Sequence, residues 1–265
     1  RMQNHNDAVK DDEAVKVEEW GNCSVENVQS FQEEAARVPY VGDKEPLSSL
    51  AAEYQAGSPI LLEKIKILDN QYIAIRRTRG DGNCFFRSFM FSYLEHILES
   101  QDGAEVDRIK VNVEKCRKTL QSLGYTDFTF EDFFALFLEQ LDDILLGSDE
   151  SISYEELVYR SRDQSVSDYS LLLLFCKISV EPMGEESDHI HITAFSDALG
   201  VAIRVVYLDH SSCDSGGVTV NHHDFVPVGT NEKQEEASAP FITCCIVQAI
   251  TISSTPSHLV RYKNT

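Results

Sequence analysis

The residues best placed to do chemistry in this chain are a thiol and the turn directly before it. Asp81 and Gly82 form a strong turn dipeptide, and Asn83 leads into Cys84. Behind the thiol, apolar residues recur at three- and four-residue steps and predict a buried helix face, made of Phe86, Phe89, Met90, Tyr93, Leu94 and Ile97. Backbone N–H groups at a helix start stabilise a thiolate and can hold an oxyanion. The pattern indicates a nucleophile, and an inert cysteine on a packed helix fits the same residues.

Helical and extended patterns follow one another along the chain and predict an α+β fold, with helices packed around a small central β-sheet. Helices are expected over 46–55, 60–69, 106–123, 131–146 and 190–199, and strands over 72–77, 201–208 and 225–228. The first strand leads into the turn before Cys84. Residues 1–45 are acidic and weakly periodic, so we expect a disordered tail before a domain that starts at Pro46.

Residues 76–88 read RRTRGDGNCFFRS and resemble the nucleophile motif of the ovarian-tumour (OTU) cysteine proteases, with the otubain branch most similar. Four more stretches resemble otubains, at 125–133, 163–169, 180–183 and 186–192. The resemblance covers residues 46–243. It implies a papain-like cysteine protease fold and a thiol-dependent isopeptidase that removes ubiquitin from lysine side chains or from polyubiquitin.

The resemblance also implies roles for individual residues. Cys84 would be the nucleophile, Asp81 would belong to the active-site group, and the backbone at Gly82 and Asn83 would help to hold the oxyanion. A second set would lie near bound ubiquitin: Asp188, His189, Ile190 and His191. Ubiquitin and polyubiquitin are the implied partners, together with ubiquitin-conjugating enzymes, and neither a cofactor nor a metal is implied.

Composition narrows the partners and the compartment. The net charge is −21 and the pI is about 4.7, which argues against nucleic acid and anionic membranes as partners. Apolar runs stay shorter than the ~18 residues of a membrane span. The seven cysteines show no paired metal-ligand spacing, and an odd number without a signal peptide predicts reduced thiols in the cytoplasm or nucleus.

Two histidine groups invite sharper interpretations. His189 and His191 lie two residues apart, as zinc ligands on a strand would, yet no cysteine or carboxylate set completes a site. His222 and His223 stand beside Asp224 and could be taken for a base and its orienting group. Adjacent residues cannot easily align in that way, and we expect this segment to be the loop before a strand.

The chain departs from the otubain pattern at two places. Between Tyr169 and Cys176 it passes through Ser170–Phe175, where otubains carry about 30 further residues, roughly two short helices. The domain therefore carries a deletion near 170–176. An opening in the core is expected to follow from it.

The second departure is the C-terminal run 244–255, which reads CCIVQAITISST. Otubains end on a strand pair that reads LLYRPGHYDILY, whose His is the catalytic base. One set of permitted codons for the run, with a single C restored in front, translates as that complete family sequence. We interpret residues 244–265 as a non-family tail produced by a frameshift, so the family's catalytic His is absent. His258 follows the shifted run, has no family counterpart, and is not expected to replace it.

Three functions stay open at this point. The chain can be a cysteine deubiquitinase, as the resemblance implies. It can be a catalytically dead protein that binds ubiquitin or a ubiquitin-conjugating enzyme, because the His is lost. It can also be a poorly folded product, because both departures remove parts of the core.

Overall fold

The computed structural model describes residues 39–55, 57–79, 84–145, 151–163, 188–211, 217–228, 242–247 and 258–262. Three predictions from the sequence fall outside these residues. They concern the acidic tail before Val38, the turn at 81–83 and the junction at 170–176.

The described residues form seven α-helices. These are α1 Leu47–Tyr54, α2 Pro59–Asp69, α3 Cys84–Ser100, α4 Gly103–Ser122, α5 Glu131–Ile144, α6 Tyr154–Arg160 and α7 Asp188–Leu199. Local chemistry sets several ends. Ser58 caps α2 by accepting a hydrogen bond from the Leu61 N–H, and Asp102 caps α4 through the Glu105 N–H. Gly200 ends α7 at φ +66°, a conformation that favours glycine.

Five strands form one sheet in the order β1-β5-β4-β2-β3. They are β1 Tyr72–Arg77, β2 Ile203–Leu208, β3 Asn221–Phe225, β4 Ile242–Val247 and β5 His258–Tyr262. The β2–β4 pair is parallel, and the other three neighbouring pairs are antiparallel. The sheet therefore combines the chain around Cys84 with the C-terminal segment that departs from the family.

The two faces of the sheet carry separate hydrophobic clusters. Alternate side chains of β2 point to opposite faces, as strand geometry requires, so Ile203 and Val205 join one cluster while Val206 and Leu208 join the other. Helices α3 to α7 cover the first face, and α1 and α2 cover the second. Helix α3 is buried on several sides, with Phe89 and Ile97 at 0% exposure. The nucleophile candidate thus begins a central helix of the domain.

The predicted elements agree with the structure wherever their signals were local, and β1 spans the predicted 72–77. Two differences arise near the edges of the sheet. The ordered part starts before Pro46, because Val41 bridges to Thr78 and Glu45 bridges to Ile75. The segment 221–225 is strand β3, so the prediction of a loop there with a strand over 225–228 was wrong. Pairing with β2 supplies the order that its polar sequence did not indicate.

Candidate active site

Cys84 is the first residue of α3, at the point where the chain returns from the end of β1. Its side chain is partly buried, and it is a free cysteine. This is the strand, turn and helix order that the sequence predicted for a nucleophile. The turn residues Asp81, Gly82 and Asn83 lie outside the described residues, so their proposed roles remain predictions.

Hydrogen bonds join the chain before this turn to the helix after it. The Thr78 hydroxyl lies 3.0 Å from the Ser88 hydroxyl and donates to the Cys84 carbonyl at 3.4 Å. Thr78 and Ser88 are both fully buried. Buried polar groups retain their partners because leaving one unpaired costs about 1–3 kcal/mol. The backbone of Cys84 is therefore held against the end of β1.

A buried charged network lies further along the same two elements. Glu95 on α3 is 1% exposed and accepts a hydrogen bond from the Tyr154 hydroxyl at 3.0 Å. Arg76 of β1 is 3% exposed, donates to Tyr154 and lies 3.8 Å from the Glu95 carboxylate. Lys44 approaches the same carboxylate at 3.5 Å. Charges buried at this depth require partners, so the network holds β1, α3 and α6 together.

The C-terminal strand reaches the same end of β1. In the register of the sheet His258 lies opposite Arg77 of β1 and opposite Cys245 of β4. Neighbouring strands place such partners about 5 Å apart between Cα atoms. The sequence indicated no place for His258, because it follows the shifted run. Strand pairing brings its backbone to the edge of the nucleophile region, and only tertiary contacts could have revealed this.

The residues predicted to lie near ubiquitin begin helix α7. His189 is exposed, and its ring packs beside Tyr207, His223 and Phe225 at centroid distances of 6.3, 5.1 and 5.6 Å. The Tyr207 hydroxyl lies 3.3 Å from His189 Nε2. Residues two apart on a helix point away from each other, so a pair of zinc ligands at 189 and 191 as on a strand is wrong. The contacts of Asp188, Ile190 and His191 remain outside the described side chains.

The neighbouring His222, His223 and Asp224 lie within β3 rather than in a loop. Both Asp224 oxygens accept hydrogen bonds from Arg204 at 2.7 Å, and these bonds lower the pKa of Asp224. The carboxylate therefore pairs with a guanidinium across β2 and β3, and it is not available to orient a catalytic base.

Two searches of the described residues bear on other classes of protein. No helix among them is long and apolar enough to cross a membrane. No group of three or more His, Cys, Asp or Glu side chains within the described ranges is arranged to hold a metal ion.

The fold and the cysteine at the start of α3 together define a cysteine peptidase architecture. The sequence model of the family described as Peptidase C65 Otubain matches residues 33–175 and 172–246. The chain therefore belongs to the otubain family, and its α+β arrangement is the papain-like fold of that family.

Individual relatives agree with this assignment. An OVARIAN TUMOR DOMAIN-containing deubiquitinating enzyme 1 of Arabidopsis thaliana is 75% identical over 281 residues, covering 91% of this chain and 92% of the relative. The Homo sapiens ubiquitin thioesterase OTUB1 is 37% identical over 229 residues, covering 76% of this chain and 80% of the relative. A solved complex of ceOTUB1 with ubiquitin aldehyde and UBC13~Ub matches with a TM-score of 0.71 and 25% identity, covering 90% of this chain and all of that chain.

The comparisons also bear on the two departures from the family pattern. The two family matches meet at residues 172–175, which is the predicted position of the deletion. The Arabidopsis alignment spans 281 positions, whereas 91% of 265 residues is about 241, so about 40 positions face gaps in this chain. The family match ends at residue 246, close to the start of the shifted run. These findings support a shortened domain and a non-family end.

Proposed function

We propose that this chain is a thiol-dependent deubiquitinase whose nucleophile is Cys84. The observation that carries the proposal is the position of Cys84 at the first residue of α3, tied to the end of β1. Family membership supports ubiquitin as the substrate, since the relatives are named deubiquitinating enzymes and ubiquitin thioesterases. A free thiol suits a reducing compartment, so we propose the cytoplasm or nucleus.

The proposed reaction has two steps. The Cys84 sulfur bonds to the carbonyl carbon of ubiquitin's C-terminal glycine, and the lysine amine leaves with a proton. Water then cleaves the thioester, which releases the ubiquitin carboxylate and regenerates the thiol. Backbone N–H groups from Asp81 to Cys84 would stabilise the oxyanion in both steps. The proton transfers need a base, and the family's His is missing from this sequence.

That missing His favours a second candidate function, which is binding of ubiquitin or a ubiquitin-conjugating enzyme without efficient cleavage. Solved structures similar to this chain contain ubiquitin aldehyde with UBC13~Ub or with UBCH5B~Ub. Such a protein would keep the surfaces for its partners while losing rate. The position of His189 at the start of α7, within an exposed aromatic group, is consistent with a role in docking.

The test compares chemistry with binding in one set of proteins. Diubiquitin cleavage and affinity for ubiquitin would be measured for the present chain, for Cys84→Ala, and for Cys116→Ala as a matched control. The deubiquitinase proposal expects cleavage that Cys84→Ala abolishes and Cys116→Ala preserves. Affinity for ubiquitin without cleavage in any of the three would favour the binding function. Cleavage that survives Cys84→Ala would exclude Cys84 as the nucleophile.

A further inference from the structure

The turn before Cys84 is held by a second group of side chains, beyond Thr78 and Ser88. Arg87, one helical turn after Cys84, donates a hydrogen bond from Nη1 to the Arg79 carbonyl at 3.1 Å. Arg87 is only 4% exposed. Arg79 is the last described residue before the turn, so this bond joins the entry of the turn to its exit.

The arginines meet at one aromatic ring. The Arg79 guanidinium carbon lies 3.8 Å from the centroid of the Tyr40 ring, and that of Arg87 lies 4.9 Å from it. The face of an aromatic ring attracts cations, most strongly where water is excluded. Two guanidinium groups would otherwise repel each other, so the Tyr40 ring offsets the cost of bringing them together.

Tyr40 itself is fixed by the backbone. The Arg79 N–H donates to the Tyr40 carbonyl at 3.2 Å, and the Gly42 N–H donates to the Arg77 carbonyl at 2.8 Å. The segment from Tyr40 to Glu45 thus runs beside β1, in a part of the chain where the sequence indicated only a tail. The ring is presented to both arginines by a strand-like pairing that ends at the turn.

We propose that Tyr40 and Arg87 are positioning residues for the nucleophile turn, and that residues 40–45 belong to the working active site. This inference rests on the proposed function of Cys84. The clamp, defined as Tyr40, Arg79 and Arg87, holds residues 80–83 in a conformation that directs backbone N–H groups towards the oxyanion. Neither residue touches the substrate. Their effect is on the addition step, because an oxyanion site acts only when its donors are already in place.

Ubiquitin aldehyde isolates this step. The Cys84 sulfur adds to the aldehyde carbon, and the carbonyl oxygen becomes an alkoxide that takes up a proton, so the adduct reports on the thiol and on the oxyanion site. Plain ubiquitin reports on docking alone. The ratio of the two dissociation constants therefore measures addition separately from binding, and it does not require a complete catalytic cycle.

The variants are Tyr40→Ala, Tyr40→Phe and Arg87→Met, with Tyr159→Ala as a matched control because Tyr159 is 73% exposed on α6. We expect Tyr40→Ala and Arg87→Met to reduce the advantage of the aldehyde about tenfold, with affinity for ubiquitin unchanged. Tyr40→Phe keeps the ring and should behave as the present chain. Thermal melts identify any variant that fails to fold.

A second readout keeps the clamp testable if the proposed function fails. Amide hydrogen exchange across residues 79–88 should be faster in Tyr40→Ala than in the present chain, and unchanged in Tyr159→Ala. If the present chain shows no preference for the aldehyde, the function of Cys84 is refuted, and exchange alone decides the clamp. Unchanged exchange and an unchanged aldehyde ratio in Tyr40→Ala would overturn the inference, as would a loss confined to ubiquitin affinity.

Discussion

The nucleophile region and the C-terminal strand pair lie side by side in one sheet, but side chains hold the first and backbone pairing defines the second. Around Cys84, hydroxyl, guanidinium and carboxylate groups join β1 to α3, as with Thr78 and Glu95. Strand β4 instead follows β2 at six consecutive positions from Ile242 to Val247, although the family match stops at residue 246.

The difference shows which features survive a change of reading frame. A strand requires extended backbone and residues with strand propensity, and the run that supplies Cys244, Cys245, Ile246 and Val247 has enough of them. A catalytic base requires one particular ring at one particular place, and a frameshift removes it. Backbone architecture is therefore tolerant of the shifted tail, whereas chemistry is not.

The largest effect should come from restoring the family's ending. Replacing residues 244–265 with LLYRPGHYDILY should raise the rate of diubiquitin cleavage about 10⁴-fold, because losing a member of a catalytic triad costs about that much in serine proteases. A cleavage time course at equal concentrations measures it. Equal rates would mean that another group already serves as the base, and His258→Ala would then test the histidine opposite Arg77.

Breaking the buried network should destabilise the nucleophile region strongly. We expect Glu95→Ala to lower the free energy of unfolding by about 3–5 kcal/mol, because it leaves Arg76 buried without its carboxylate. Urea unfolding measures the change. The control is Asp142→Ala, which removes an exposed ion pair with Lys110 and should cost about 0.2–1 kcal/mol. A loss for Glu95→Ala no larger than the control would show that the network is not needed.

Thiol reactivity gives a smaller and more local comparison. Cys84 should react with iodoacetamide about tenfold faster than Cys116, because a helix start favours thiolate. Cys116 lies within α4, packs against the core and is 3.9 Å from the Ala198 carbonyl. Mass mapping after limited treatment measures both rates. Preferential labelling of Cys116 or Cys176 would contradict the assignment of Cys84.

The smallest effect concerns the opposite face of the sheet. Burial alone would raise the pKa of Asp209, but hydrogen bonds from Lys64, Ser211 and Asn221 outweigh it and lower the pKa to about 2. A lowered pKa means that the carboxylate stabilises the fold above pH 4, and that this contribution disappears as the pH falls towards 2.

The matching variant is Asp209→Asn. Because the carboxylate is partly exposed, we expect a stability difference of about 1 kcal/mol at pH 7 that shrinks to nothing near pH 2. Unfolding curves at several pH values measure it. A difference that stays constant between pH 7 and pH 2 would show that the charge is not its source.

The sequence by itself determined the local elements and the identity of the nucleophile candidate. The bounds of β1, the apolar face of α3 and the turn before Cys84 depend on residues a few positions apart, so periodicity and turn chemistry predict them. The resemblance carried by residues 76–88 identified the family for the same reason, since the motif is contiguous.

Only the tertiary structure decided which distant segments meet. Nothing local predicts that Tyr40 packs between two arginines, that Glu95 is buried, or that His258 faces Arg77. The polar segment 221–225 became a strand only because β2 offered it a partner. Each of these features depends on contacts between residues far apart in the chain, and a sequence pattern carries no signal for them until the fold brings the segments together.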